Sequence, residues 1–207
     1  MTMRGIFEDI YRRDLWGNGS GEGSRPVNTE GYRAFLQGFL RANQVRTVVD
    51  FGCGDWQFSR LVDWDGIDYR GYDVAPFVVD ANRANFTRDN ISFHLIDDDI
   101  EALPAADLLI AKDVLQHWPH EAVHRFRAIL DRYRFSLITN CVNPRGATEN
   151  VDIGPGSYHP LDLTRAPFFW PLKEVYAFAE PIAVWRRPFV APRWRKKVFL
   201  NRGAFVR

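Results

Sequence analysis

Much is missing from this chain, and each gap excludes something. There are two cysteines, Cys53 and Cys141, which make no disulfide framework. That usage fits a reducing compartment, so the expected localisation is cytoplasmic. Met1 to Arg13 is charged and mixed, with no secretory apolar core. No apolar run approaches the roughly 20 residues of a bilayer span, so no membrane span is expected. Charge of one sign is also lacking. With 27 basic and 26 acidic residues the net charge is +1, which does not mark a nucleic-acid binder. No Gly-Lys-Ser/Thr occurs, which removes the P-loop. There is no internal repeat and no low-complexity tract.

What remains reads as one domain, residues 1–207, long enough to bury a substantial core. The N-terminal part, 1–44, has a short helix around Ile6, Ile10 and Tyr11. A glycine-rich loop, Trp16 to Ser24, follows. A second helix is expected from Thr29 as N-cap, with Tyr32, Phe35, Leu36, Phe39 and Leu40 at helical spacing. From Val45 the pattern alternates. Strands are expected at Val45–Phe51, Asp68–Val74, Ile91–Ile96, Ala106–Ala111 and Phe135–Asn140. Helices are expected at Trp56–Val62, Pro76–Phe86 and Pro119–Arg134. Such alternation specifies a parallel α/β sheet covered on both faces. Residues 141–172 are rich in Pro, Gly and Asn and lack periodicity, which points to a functional loop. Residues 173–207 are expected to hold a strand pair, Glu180–Trp185 and Lys197–Asn201.

The most informative stretch is Thr47-Val48-Val49-Asp50-Phe51-Gly52-Cys53-Gly54-Asp55. A β-branched run ends in an acid and enters a turn too tight for side chains. The dinucleotide fingerprint G-x-G-x-x-G fails here, because its third glycine falls on Gln57. Two further strand ends carry acids. Asp73, followed by Val74, lies 23 residues after Asp50, close to the spacing of a ribose-binding acid. Asp97-Asp98-Asp99 follows the strand at Ile91–Ile96. In open α/β sheets, ligands bind beyond the carboxyl ends of the strands.

Over Val45 to Asn140 this arrangement resembles the class I S-adenosylmethionine (SAM) dependent methyltransferases, whose motif I is D-x-G-x-G. The resemblance implies a Rossmann-like, doubly wound, mostly parallel seven-stranded sheet with an antiparallel C-terminal strand. It implies SAM as cofactor and residues 45–140 as its binding core. Asp50, Gly52 and Gly54 would form the turn, and Asp73 with Val74 the ribose site. Asp99-Ile100-Glu101-Ala102-Leu103-Pro104 aligns with a D-x-x-x-L-P stretch. That implies Asp99 for the adenine amine and Ile100 for a backbone contact, with Asp98 as the alternative acid. The chain further resembles a small bacterial group with W…S-G-x-G-S, R-D-x-x-x-H and N-x-D-I-x-x-G elements. Here these are Trp16 with Ser20–Ser24, Lys112-Asp113 with His117, and Asn150–Gly154. Lys112 departs from that group's arginine, which puts a bidentate contact in doubt. The group implies that the Trp16–Ser24 and 141–165 segments close over cofactor and acceptor, with Trp16, Ser24 and Lys112 touching SAM. Some sugar O-methyltransferases, including a mycobacterial enzyme acting on a mannose oligosaccharide, are similar.

The fourth strand end, Ala111 to Trp118, faces the transferable methyl in that family. Asp113 and His117 are four apart, so a helical turn would put them on one face. Either the pair removes a hydroxyl proton, with His117 as base, or it holds a divalent cation. For a cation the candidates are Asp113, His117, Glu149 and Asp152, an oxygen-rich set suited to magnesium. The expected partner is a small-molecule or sugar acceptor; a homodimer is compatible with the chain. A nucleic-acid methyltransferase is the alternative. It draws on the acid-free tail with Arg186, Arg187, Arg193, Arg195, Lys196, Lys197, Arg202 and Arg207 among Phe189, Trp194, Phe199 and Phe205. Against it, no Asn/Asp-Pro-Pro-Tyr and no Pro-Cys is present.

Overall fold

The computed structural model describes residues 2–97, 99–181 and 192–203. Among them are seven strands in one sheet: β1 (Thr47–Phe51), β2 (Asp68–Asp73), β3 (Ile91–Leu95), β4 (Leu108–Lys112), β5 (Phe135–Val142), β6 (Lys173–Ala179) and β7 (Arg195–Arg202). The order is β3-β2-β1-β4-β5-β7-β6. β1 to β5 pair in parallel, and β7 runs antiparallel to both β5 and β6. Strand order reverses between β1 and β4, which opens a crevice at their carboxyl ends.

The apolar runs explain the layers. Successive residues of a strand face opposite sides, so a run buried on both faces feeds two cores. Val49, Leu109 and Ile138 enter one core with Phe7 and Ile10 of α1 (Met3–Arg12) and Val123 and Phe126 of α4 (His120–Arg127). Leu161 and Leu163, from the long segment after β5, fill the same side. Val48, Leu108 and Leu137 enter the other core with Tyr32, Leu36 and Leu40 of α2 (Glu30–Ala42). A further helix, α3 (Pro76–Phe86), starts with its proline in the first turn, where no N–H is missed.

Four local expectations need correction. Trp56–Val62 is not an α-helix; it holds one 3-10 turn, Ser59–Leu61, and Trp56 sits at φ +57°. The helix expected over Pro119–Arg134 ends at Arg127, and a 3-10 turn follows at Leu130–Arg132. Thr29 precedes α2 but does not cap it: its hydroxyl donates backwards to the carbonyls of Arg25 (2.9 Å) and Pro26 (3.3 Å). A strand not expected from the sequence, β6 at Lys173–Ala179, lies immediately before the expected Glu180–Trp185. The first two residues of β6 are charged and exposed, which masks its apolar content from a hydrophobic reading. Residues 182–185 of the expected strand lie outside the described residues.

Candidate functional site

A cavity of about 310 Å³ opens over the ends of β1, β2 and β4, within the range of roughly 300–1,000 Å³ typical of small-ligand sites. One wall is the turn after β1. Gly52 and Gly54 both take positive φ, +70° and +56°. A side chain at Gly52 would overlap Val114, and one at Gly54 would overlap Ser20. Glycine therefore serves both the bend and the close approach. Asp73 supports this turn: its carboxylate accepts from the N–H of Gly54 and of Ala75, both at 3.0 Å. The carboxylate keeps acceptor capacity, and Asp73 with Val74 lines the cavity. Burial raises the Asp73 carboxyl, and these N–H groups oppose the rise.

Asp50 also lines the cavity and accepts from the Tyr69 hydroxyl at 2.6 Å. Burial lifts its carboxyl to about 6, with the Tyr69 bond and the more distant Lys112 pulling the other way. Among the described residues it makes no ion pair, so it is a buried acid available to a cation. Beyond β3 the sequence reading is shifted. Asp97 and Ile100 line the cavity, and Arg4 of α1 ion-pairs with Asp97. Asp99 does not line it; its carboxylate turns back to accept from the Glu101 N–H at 3.0 Å. The reason is local: Asp99 is the N-cap of a 3-10 turn at Ile100–Ala102. Asp98 lies outside the described residues.

The N-terminal loop forms the opposite wall. Ser20 exchanges bonds with Asp55: its hydroxyl accepts from the Asp55 N–H (3.0 Å), and its own N–H reaches the Asp55 carboxylate (3.2 Å). Lys112 donates to the Gly23 carbonyl at 2.8 Å. Trp16 lies 4.8 Å, ring to ring, from His117, and Ser24 lines the cavity.

After β4 the chain turns at Asp113, itself at φ +61°. Its two carboxylate oxygens take separate ammoniums, Lys112 at 2.6 Å and Lys196 at 2.5 Å. Burial pushes the Asp113 carboxyl up, but the two lysines outweigh it and hold it down to about 2. His117 closes a 3-10 turn, Leu115–His117, rather than an α-helical one. Its Nδ1 meets the Ser157 carbonyl at 2.9 Å. A carbonyl only accepts, so Nδ1 carries the proton and Nε2 the lone pair, a tautomer assigned from the network. Gln116 agrees: its Oε1 accepts from the Cys141 N–H (2.7 Å), which turns its amide N–H₂ toward His117 Nε2 at 3.4 Å. Burial lowers the His117 pKa, with the Ser157 carbonyl opposing.

Asp113 and His117 thus share the cavity but make no hydrogen bond with each other. The four suggested metal ligands are not brought together. Asp113 is ion-paired with lysines, Asp152 accepts from the N–H of His120 and Ile153, and Glu149 is exposed. No group of three His, Cys, Asp or Glu able to hold a metal occurs among the described residues. The expectation that no H-x-x-x-H pair supports zinc needs correction as to the spacing, since His120-Glu121-Ala122-Val123-His124 on α4 has it. Both of its rings pack on Phe168, at 4.8 and 4.9 Å.

Spacing does not single out Gln116 or Ser157, and in sequence Lys196 reads only as part of the basic tail; the Tyr158 ring lies 5.9 Å from His117. Of the basic tail, residues 182–191 and 204–207 lie outside the described residues. The described part is largely committed. Lys197 pairs with Asp162 and Glu174, Arg193 pairs with Glu180, and Phe199 is buried in the core.

No family model and no curated protein matches the chain. Solved structures do match, at low identity. A SAM-dependent methyltransferase from Leishmania major superposes with a TM-score of 0.68 at 13% identity, covering 96% of this chain and 83% of that one. The N-methyltransferase NodS from Bradyrhizobium japonicum WM9, in complex with S-adenosyl-L-homocysteine (SAH), gives 0.66 at 13%, covering 97% and 100%. Magnesium protoporphyrin IX methyltransferase from Synechocystis PCC 6803, with bound SAH, gives 0.60 at 14%, covering 98% and 100%. The chain has the class I methyltransferase fold, with its seven strands in the order described.

Proposed function

We propose that this chain is a SAM-dependent methyltransferase that O-methylates a hydroxyl of a small molecule or sugar, with His117 as the base. Solved structures of the same fold hold SAM or SAH. The residues here fit that group. The Gly52–Gly54 turn leaves room for close approach, Asp73 lines the cavity with acceptor capacity left for a ribose hydroxyl, and Asp50 is a buried acid suited to an ammonium. Ile100 and Asp97 would border the adenine. When bound, SAM supplies a methyl group made electrophilic by its sulfonium.

The observation that carries the acceptor chemistry is the His117 tautomer. With Nδ1–H held by Ser157, Nε2 carries the lone pair beside the β4 end of the cavity, where an acceptor hydroxyl would replace the long 3.4 Å contact from the Gln116 amide. It can take the proton of an acceptor hydroxyl as the oxygen gains its methyl. A lowered pKa keeps His117 neutral at pH 7, as a base must be. Asp113, neutralised by two lysines, is poorly placed to compete for that proton. Trp16 and Tyr158 flank His117 and offer ring faces to the C–H groups of a sugar. Trp170 is buried in the core, and Trp118 borders the cavity with its ring packed on Phe51 and Phe126.

The test combines calorimetry with a labelled-SAM screen of hydroxyl acceptors. His117→Ala is expected to cut turnover by about 10²–10⁴-fold while SAM affinity stays unchanged. The rate of the wild type should fall as His117 protonates, on the acid side of the ordinary imidazole value of about 6.5, because burial lowers its pKa. A wild-type rate in the alanine variant would sink the assignment of the base.

A further inference from the structure

We infer that Lys196 is a carboxylate-binding residue in the acceptor half of the cavity, so the acceptor carries a carboxylate besides the hydroxyl that is methylated. This rests on the methyl-transfer reading above and names the class of acceptor.

Topology places Lys196 on the acceptor side. β7 runs antiparallel to β5 and sets Lys196 opposite Cys141, near the carboxyl end of β5. In the order β2-β1-β4-β5-β7, that is two strands beyond β4. Asp50 and Asp73 lie on the other side, at the ends of β1 and β2. Lys196 lines the cavity although its residue is only 3% exposed.

Its donors are not used up. An ammonium has three N–H groups. One goes to Asp113 at 2.5 Å, and the Cys141 thiol lies beside a second. The third has no acceptor among the described residues; the Trp194 ring lies 5.8 Å from Nζ. Lys112 differs. It donates to Gly23 and Asp113 and sits 4.8 Å from the Phe58 ring centroid.

Charge leads to the same place. Two ammoniums share one carboxylate, Asp113. Asp50 also acts on Lys112, but a cofactor ammonium would engage that charge. One positive charge is then left in a buried setting, where an unpaired ion is costly. A monoanion from the ligand answers it. Among the described residues the cavity lining includes no arginine. One point contact from one lysine suits a carboxylate better than a phosphate, which draws several donors or a fork. The N-terminal loop passes close by: a Cβ on Gly23 would lie 2.7 Å from Lys196 Nζ, so the glycine keeps a side chain off the ammonium.

The experiment titrates SAH-loaded protein by calorimetry with matched probes. The pairs are glucuronate against glucose, and 4-hydroxybenzoate against 4-hydroxybenzyl alcohol. At least one acid should bind tenfold or more tightly than its neutral partner. Lys196→Met should remove that preference and leave the neutral probe's affinity unchanged. Equal binding of acid and neutral members, absence of acid binding, or an acid preference that survives Lys196→Met overturns the proposal. If Lys196→Met does not fold, the acid-over-neutral ratio of the wild type decides alone. The cofactor's own carboxylate is the competing source. SAM and methylthioadenosine, which lacks that carboxylate, are therefore titrated into both proteins. A selective loss of SAM affinity in Lys196→Met assigns the contact to the cofactor and overturns the acceptor reading. Failure of the wild type to bind SAM at all would instead remove the methyltransferase reading.

Discussion

Asp50 and Asp113 end or follow neighbouring strands, both are largely buried, and they are pushed in opposite directions. Asp50, at the β1 turn, is lifted to about 6 because burial outweighs its hydroxyl partners, Tyr69 first. Asp113, after β4, is held down to about 2 because two ammoniums outweigh burial. The two halves of the cavity are therefore built differently. The cofactor half keeps an acid without a cation and shapes its wall from backbone, through Gly52, Gly54 and the N–H groups on Asp73. The acceptor half is a side-chain network that carries its own counter-charges. An unpaired buried acid is a cost the free protein bears so that a cationic ligand can relieve it.

Replacing each acid by its amide breaks the comparison most directly. Asp113→Asn carries the largest expected effect. It leaves two buried ammoniums without their carboxylate and should cost about 3–5 kcal/mol at pH 7. The linkage has the usual acid sign. Asp113 binds its proton less tightly folded than unfolded, so its stabilisation is present above about pH 4 and is lost as pH falls through about 2. Denaturant melts at pH 7 check the size; a variant as stable as the wild type would show that the lysines do not need Asp113.

Asp50→Asn should act in the opposite sense and by less. Its folded pKa lies above the unfolded value, so ionised Asp50 erodes stability as pH rises from about 4 to about 6. The amide removes that penalty and should stabilise the SAM-free protein by roughly 1–3 kcal/mol at pH 7. Calorimetry should show weaker SAM binding in the same variant. A lower melting temperature at pH 7, or undiminished SAM affinity, would contradict the view of Asp50 as an acid waiting for a cation.

The same contrast explains what the sequence discloses. Strands buried on both faces read as apolar runs, so β1, β4 and β5 are legible, and with them the acids at their ends. Asp50, the glycine turn and Asp73 are set by local spacing within 24 consecutive residues. The choice among Asp97, Asp98 and Asp99 is not legible, because it depends on the residue at which β3 stops and a 3-10 turn starts. Lys196 is less legible still. It meets Asp113 across 83 residues, through the register of an antiparallel strand. In sequence, Arg195-Lys196-Lys197 looks like a solvated basic run. On β7, alternation buries Lys196 at the cavity and sends Lys197 to Asp162 and Glu174 on another face. The Ser157 carbonyl that assigns the His117 tautomer comes from the aperiodic segment after β5, which carries no pattern to read.

Trp16 touches both halves and offers the finest test of where one ends. Its ring packs on Phe7 and Tyr11 of the N-terminal helix and lies 4.8 Å from His117. Burial is the main cause of the lowered His117 pKa, and Trp16 supplies part of that burial. Trp16→Ala admits water beside the imidazole, favours its charged form and moves its pKa back toward the ordinary value. The acid limb of the rate profile should therefore shift to higher pH, by a fraction of a unit and at most about one unit. SAM affinity should change by less than about threefold if Trp16 belongs chiefly to the acceptor half, since lost packing beside His117 leaves the Gly52–Gly54 turn and Asp73 in place. An unmoved pH limb together with a large loss of SAM affinity would move Trp16 to the cofactor side and redraw the boundary between the two halves.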